Sequence, residues 1–255
     1  APDTEPTTLY YAINTEPDAS GTWEWVEIVK DVATFTFKSL GSFDSMPGIV
    51  YSCDTADSSR LYFAYASSPD GIGTWTCNPI IQYPVGGVGL PQNLNGRHSV
   101  SKLNECPAVT TPVVQSIVSL IPFRCQVEMK FLLASSPDGS GEWSEATVFP
   151  KAETGDHRIQ PALALIDGEP VISFSDFGSD DPFYVGSLCY FTCSKTDGLG
   201  EWQMASLIDP YKPSGIEVSL IELTNGKPSV IYTRQNPQDP YAANANTLCC
   251  ATWSH

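Results

Sequence analysis

Apolar positions along this chain come in short runs broken by Gly, Pro, Asn and Asp, and no run keeps the spacing of an amphipathic helix. Four runs are rich in aromatic and aliphatic residues: Leu9–Ile13, Leu61–Tyr65, Met129–Leu133 and Leu188–Thr192. After each comes a polar turn and then a second short run led by Trp, such as Trp25–Val29 or Trp143–Phe149. Two strand-like runs joined by a Gly-bearing turn predict a β-hairpin. Further upstream a Pro opens another run: Pro47–Tyr51, Pro107–Thr111, Pro170–Phe174 and Pro228–Tyr232. Before these lie Lys38–Leu40, Ser101–Leu103, Ala162–Ile166 and Val218–Ile221. Asp167-Gly168 and Asn225-Gly226 between two such runs predict type I′ turns.

The turn before each Trp repeats with fixed internal spacing. Asp18, Gly21 and Trp23 recur as Asp70, Gly73 and Trp75, as Asp138, Gly141 and Trp143, and as Asp197, Gly200 and Trp202. These residues read as scaffold. The Asp carboxylate accepts backbone N–H groups within the turn, and the Trp fills the gap to a neighbouring hairpin. Gly at one position in all four copies predicts a backbone with φ above zero there.

The repeating unit is therefore four strands, a to d, with a period of about 50 to 70 residues. Antiparallel four-stranded units at that period predict an all-β β-propeller. Residues 9–29 supply a c–d hairpin; 33–81, 97–149 and 158–208 supply complete units; 216–254 supply a, b and c. The expectation is one propeller domain over 1–255, with 1–8 as an extended N-terminal segment. Four blades follow if the last is shared by both termini, with five blades as the alternative. Sharing leaves Leu9–Ile13 as a surplus strand, placed on the closing blade, in an incomplete fifth blade, or on another molecule. Residues 82–96 and 112–128 read as insertions that lengthen connections.

The c–d turns resemble the Asp box of sialidase-type (BNR) repeats, Ser-x-Asp-x-Gly-x-x-Trp on the same hairpin. Ser68, Asp70 and Trp75 match it, as do Ser136, Asp138 and Trp143, with the Gly displaced by one position. The resemblance implies the propeller fold, and the box itself implies no catalysis. Retaining sialidases of this kind use an arginine cluster, a Tyr–Glu pair and an acid Asp near the axis. Of the arginines here, Arg60, Arg97, Arg124, Arg158 and Arg234, only Arg97 and Arg158 stand where an a strand begins. Phe35 and Glu217 occupy the matching places in the other units, so the arginine triad is not supported.

A formal net charge of −16 argues against nucleic acid and against anionic membranes as partners. No apolar run reaches the length of a membrane span. Eight cysteines, Cys53, Cys77, Cys106, Cys125, Cys189, Cys193, Cys249 and Cys250, read as disulfide candidates of an extracellular chain. Ala1–Thr8 reads as a mature N-terminus left after removal of a secretion signal. No cofactor is expected. Asp176, Asp180 and Asp181 form the densest acidic loop and are the candidate calcium ligands.

The best polar constellation lies where a strands begin: Arg97, His98, Asp156, His157, Arg158 and Glu217. Such groups suit a polar ligand, and facing carboxylates suit a glycosidase acid and base. Trp25, Trp253, Tyr211 and Tyr241 are candidate stacking platforms for sugar. No elbow motif, zinc-protease motif or phosphate loop occurs. The expectation is a secreted, non-catalytic structural or adhesive protein, self-assembling through the surplus strand, with other copies of itself or extracellular glycans and proteins as partners. The alternatives are a lectin-like carbohydrate-binding module and a sialidase-like glycoside hydrolase.

Overall fold

The computed structural model describes residues 7–32, 35–54, 58–84, 98–120, 123–154, 160–175, 188–209, 214–223, 227–235 and 246–252. Every regular element among them is a strand, and sheet order follows chain order. A hairpin comes first, β1 (Thr7–Asn14) with β2 (Trp23–Val32). A four-stranded sheet follows: β3 (Phe35–Phe43), β4 (Met46–Asp54), β5 (Ser58–Ala66) and β6 (Trp75–Pro84). The next holds β7 (Ser99–Leu103), β8 (Cys106–Leu120), β9 (Phe123–Ala134) and β10 (Trp143–Thr154). Another holds β11 (Ala162–Ile166), β12 (Glu169–Ser175), β13 (Leu188–Cys193) and β14 (Trp202–Asp209). The last has three strands: β15 (Ser214–Glu222), β16 (Pro228–Gln235) and β17 (Asn246–Thr252). All pairings are antiparallel.

The apolar core lies between successive sheets. Phe63 and Leu61 meet Val109 and Leu132 at one interface. Phe131 and Met129 meet Phe174 and Phe191 at the next, and Tyr190 and Ile166 meet Val230 and Leu220 at the third. Alternation along each strand explains this: both faces of a middle sheet are covered, so its two sets of side chains are both apolar. The first strands β3, β7, β11 and β15 stand side by side in that order.

Type I′ geometry is present at Asp167-Gly168, with φ of 52° and 79°. Asp44-Ser45 and Asn104-Glu105 adopt it too, at 52° and 66° and at 50° and 66°, without glycine. Asn225-Gly226 lies outside the described residues. In the c–d turns, Asp70 Oδ1 accepts the Ile72 N–H at 3.0 Å and the Ser68 hydroxyl at 2.6 Å. Asp18, Asp138 and Asp197 accept the N–H two residues on in the same way, at 3.0, 3.0 and 2.9 Å.

The glycine expectation needs correction. Positive φ falls at Ala19, Gly71, Gly139 and Gly198, next to the Asp, and not at Gly21, Gly73, Gly141 or Gly200. The latter are glycines because a Cβ would overlap the Thr15, Ser67, Ser135 or Ser194 hydroxyl oxygen. Trp75 stands 5.2 Å from Tyr11, Trp143 6.1 Å from Phe63 and Trp202 5.4 Å from Phe131, ring centre to ring centre. Each indole N–H donates to its own turn, at Gly71, Gly139 and Gly198 carbonyls.

Two further expectations differ from what is seen among the described residues. The N-terminal hairpin does not complete the last sheet: β2 pairs with β1, and Leu9 and Tyr11 bury against Ile49, Tyr51 and Ala64. No pairing among the described residues closes a ring or sets the blade number. Residues 112–128 are no irregular insertion, because 112–120 prolong β8 and 123–128 open β9, paired from Val113↔Glu128 to Leu120↔Phe123 with register shifts between Val114 and Ser116 and between Ile117 and Ser119.

No disulfide joins the seven described cysteines, Cys53, Cys77, Cys106, Cys189, Cys193, Cys249 and Cys250. Cys189 and Cys193, four apart on one strand, are about 13 Å apart by strand rise, against the roughly 7 Å a disulfide tolerates. Cys53 and Cys77 have β5 between their strands, and the adjacent Cys249 and Cys250 alternate to opposite faces. The side chain of Cys125 lies outside the described residues.

Candidate functional site

The register of the four first strands puts Ser39, Ser99, Ala162 and Ser219 at one level. Each lies three residues before the residue that faces the strand-b Pro or its equivalent: Ser42↔Pro47, Lys102↔Pro107, Leu165↔Pro170 and Glu222↔Pro228. Neighbouring sheets are tied together there. Ser39 Oγ accepts the Val100 N–H at 3.3 Å, and Ser99 Oγ accepts the Leu163 N–H at 3.0 Å. A first strand has one N–H edge used by its own sheet and one edge facing the axis, so the hydroxyls satisfy donors that no strand pairs.

These residues wall a pocket of about 590 Å³. Ser39, His98, Ser99, Gln160 and Ser219 supply its polar lining, with Pro161, Ala162, Leu163, Val218 and Leu220 as its apolar part. That is a mostly polar cleft with aliphatic residues among its walls and no aromatic side chain in its described lining. No lining residue among the described ones carries a formal charge.

His98 is buried, and its Nδ1 lies 2.9 Å from Thr111 Oγ1 on the neighbouring strand β8. Burial pushes its pKa down to about 3, so the ring is neutral at ordinary pH. Its Nε2 is buried without a hydrogen-bond partner, alone among described buried side-chain nitrogens and oxygens. Of the residues expected to form a site, His98 is in the pocket wall. Glu217 lies in β15 directly before the lining Val218, with its side chain outside the described residues. Arg97, Asp156, His157 and Arg158 lie outside the described residues, as do Asp176, Asp180 and Asp181. No group of His, Cys, Asp or Glu suited to a metal ion occurs among the described residues. Trp253, Tyr211 and Tyr241 also fall outside them, whereas Trp23 and Trp25 are 54% and 69% exposed.

Sequence reasoning missed Ser39, Ser99, Gln160 and Ser219. Isolated serines in short strands carry no motif, and the only signal was their shared distance from the a–b turn.

No protein-family model matches the chain, and no curated protein matches it in sequence. Solved structures do resemble it. An α-L-arabinofuranosidase from Fusarium graminearum superposes with a TM-score of 0.63 at 13% identity, over 99% of this chain and 68% of that one. An endo-arabinase from Bacteroides thetaiotaomicron gives 0.51 at 13% identity, over 98% and 93%. A sialidase from Streptococcus pneumoniae gives 0.51 at 15% identity, over 94% of this chain and 34% of that one. At such identities the likeness is one of fold, and it supports the β-propeller reading. The expectation of a non-catalytic structural or adhesive protein is corrected: the solved structures named here, which share the fold, are glycosidases.

Proposed function

We propose that the protein is a glycoside hydrolase whose substrate binds in the pocket formed by the first strands of its sheets. The observation that carries this reading is the uncharged, hydroxyl-rich lining of Ser39, Ser99, Ser219, His98 and Gln160, with Pro161, Leu163, Val218 and Leu220 among them. Hydroxyl-bearing ligands with one apolar ring face suit such a surface. Hydrolysis of a glycosidic bond needs two carboxyl groups, one to protonate the leaving oxygen and one to attack or to activate water. Asp156, in the segment leading into β11, and Glu217, in β15 beside the lining Val218, are the carboxyl groups assigned to that pair. The fold relatives named above act on arabinose-containing and sialic-acid-containing substrates, which sets the substrates to try. A place of action outside the cell belongs to the same proposal, since polymeric sugars are met there.

The test is release of aryl alcohol from an aryl α-L-arabinofuranoside and an aryl sialoside, and of reducing ends from linear arabinan. Activity on one of them that falls by a factor of about 10² to 10⁴ in Asp156→Asn and in Glu217→Gln supports the assignment. A folded protein inactive on all three overturns it.

A further inference from the structure

We propose that the outer face of the N-terminal hairpin, which carries Tyr10, Trp23 and Trp25, is a second sugar site, separate from the pocket, where a neutral polysaccharide stacks on the three rings. The choice of a sugar polymer rests on the glycosidase reading above. Tyr10 pairs with Glu27, Ala12 with Trp25 and Asn14 with Trp23, so these side chains share one face of the two strands. Tyr11 turns to the other face and packs on the next sheet. Trp23 and Trp25 stand about 7 Å apart by strand rise, and Tyr10 lies diagonally across from Trp25 at about 7–8 Å. All three are more than half exposed, and no residue of the hairpin lines the pocket.

The first turn is built in a way that releases its Trp. In the other three turns the indole N–H donates to the Gly71, Gly139 or Gly198 carbonyl, and the residue opposite the Trp is Ala66, Ala134 or Cys193. Opposite Trp23 stands Asn14, whose Nδ2 donates to the Ala19 and Gly21 carbonyls at 3.3 and 3.2 Å. Its Oδ1 accepts the Glu16 and Gly21 N–H groups at 2.9 and 3.1 Å. Asn14 thus holds the turn. The Trp23 indole has neither that bond nor a ring partner among the described residues, which leaves its N–H for a ligand.

Packing against another sheet does not account for this face. Trp25 holds the place, two residues after the motif Trp, that Glu145 and Met204 hold in sheets with a packed neighbour, and both of those stay more than half exposed. A sheet or a second copy docked as the others are would therefore leave Trp25 open. Glu27 lies on the same face, 3.5 Å from Lys30. An apolar partner would strip water from that carboxylate without replacing it, whereas sugar hydroxyls donate to it. An indole offers a flat apolar surface to the C–H side of a sugar ring and an N–H to a hydroxyl. The net charge of −16, with Glu24 and Glu27 on the strand itself, repels an anionic polymer and so selects a neutral one.

The experiment is affinity electrophoresis of the full chain in gels containing linear arabinan, xylan or polygalacturonate, beside hydrolysis of an aryl α-L-arabinofuranoside. Arabinan or xylan is expected to retard the parent. Trp25→Ala and Trp23→Ala each raise the apparent Kd about tenfold and leave hydrolysis of the small glycoside unchanged. Equal retardation of parent and variants, retardation by polygalacturonate alone, or none by either neutral polymer overturns the proposal and leaves the glycosidase reading standing. Small-glycoside hydrolysis that falls in the same proportion as retardation overturns it too, because the rings would then act through the pocket. Acrylamide quenching of the free protein completes the test: a Trp25 fluorescence that acrylamide does not reach shows the face already covered, and overturns it as well. Retardation that depends on Trp25 in a protein that hydrolyses no probe overturns the glycosidase reading alone.

Discussion

Gly139 packs so closely on Phe63 that a Cβ there would overlap the ring edge. The turn of one sheet is thus seated on the third strand of the sheet before it, with Trp143 on the same ring. Gly71 on Tyr11 and Gly198 on Phe131 repeat the contact. Ala19, at the same place in the first turn, has a φ of 63° and precedes a Trp that is half exposed.

Gly139→Ala is therefore expected to lose about 2 kcal/mol or more, since the left-handed backbone and the ring overlap both oppose the methyl group. Ala19→Gly meets only the backbone effect, partly offset by the added freedom of the unfolded chain, and shifts stability by less than about 1 kcal/mol. Urea unfolding of both variants decides it. A Gly139→Ala loss no larger than the strain that Ala19→Gly relieves would show that the ring contact contributes nothing.

Trp202 is buried and donates to the Gly198 carbonyl at 2.8 Å. Trp202→Phe removes that bond and leaves the carbonyl short of a partner, a loss of about 1–3 kcal/mol. Trp23→Phe, on the exposed hairpin, is expected within about 0.5 kcal/mol of the parent. Thermal unfolding followed by near-ultraviolet dichroism reports both.

His98 gives stability a definite pH dependence. Its folded pKa is about 3, against an ordinary 6.5, so below pH 6.5 the unfolded chain takes up a proton that the folded chain refuses. Stability attributable to His98 is whole above pH 6.5, falls as pH drops towards 3, and is level below that. The loss at pH 5 is about 2 kcal/mol. The turn carboxylates act in a lower window: the Ser68 hydroxyl and Ile72 N–H hold Asp70 below its ordinary value, and the Ser140 N–H and hydroxyl do so for Asp138. Their contribution persists above the ordinary carboxylate value and is lost as pH falls through the lowered one. Denaturation midpoints of the parent and His98→Gln at pH 7 and pH 5 isolate the histidine. Parallel changes in the two proteins would exclude it.

Ser99→Ala leaves the Leu163 N–H without its side-chain acceptor between two sheets. A loss of about 1 kcal/mol is expected, with faster amide exchange at Leu163. Unchanged exchange at that amide would show that water replaces the hydroxyl at no cost.

The strands, their grouping in fours and the repeated turn were legible because each is written locally. Alternation fixes a strand, Asp-Gly fixes a tight turn, and an Asp and Trp at constant spacing fix the hairpin that joins them. Local reading failed where a neighbour decided the outcome. The positive-φ position was misplaced by two residues: the tight turn sets it, as Ala19 shows, and the ring of the preceding sheet decides only that no Cβ fits there in the other three turns. The cysteines suggested bridges, but strand geometry sets their separations. β1 looked surplus until Leu9 and Tyr11 found their cover on β4 and β5.

The pocket belongs wholly to tertiary structure. Ser39, Ser99, Gln160 and Ser219 are far apart in the chain and share no motif, and only the packing of four first strands brings them to one wall. His98 was visible as a polar residue at the start of a strand, but its neutrality and its unpartnered Nε2 come from burial beside Thr111. Sequence by itself determined the repeating hairpins, since hydrogen bonding and side-chain alternation act over a few residues. The site was decided by the assembled sheets, because desolvation and the convergence of distant side chains exist only once the sheets have packed.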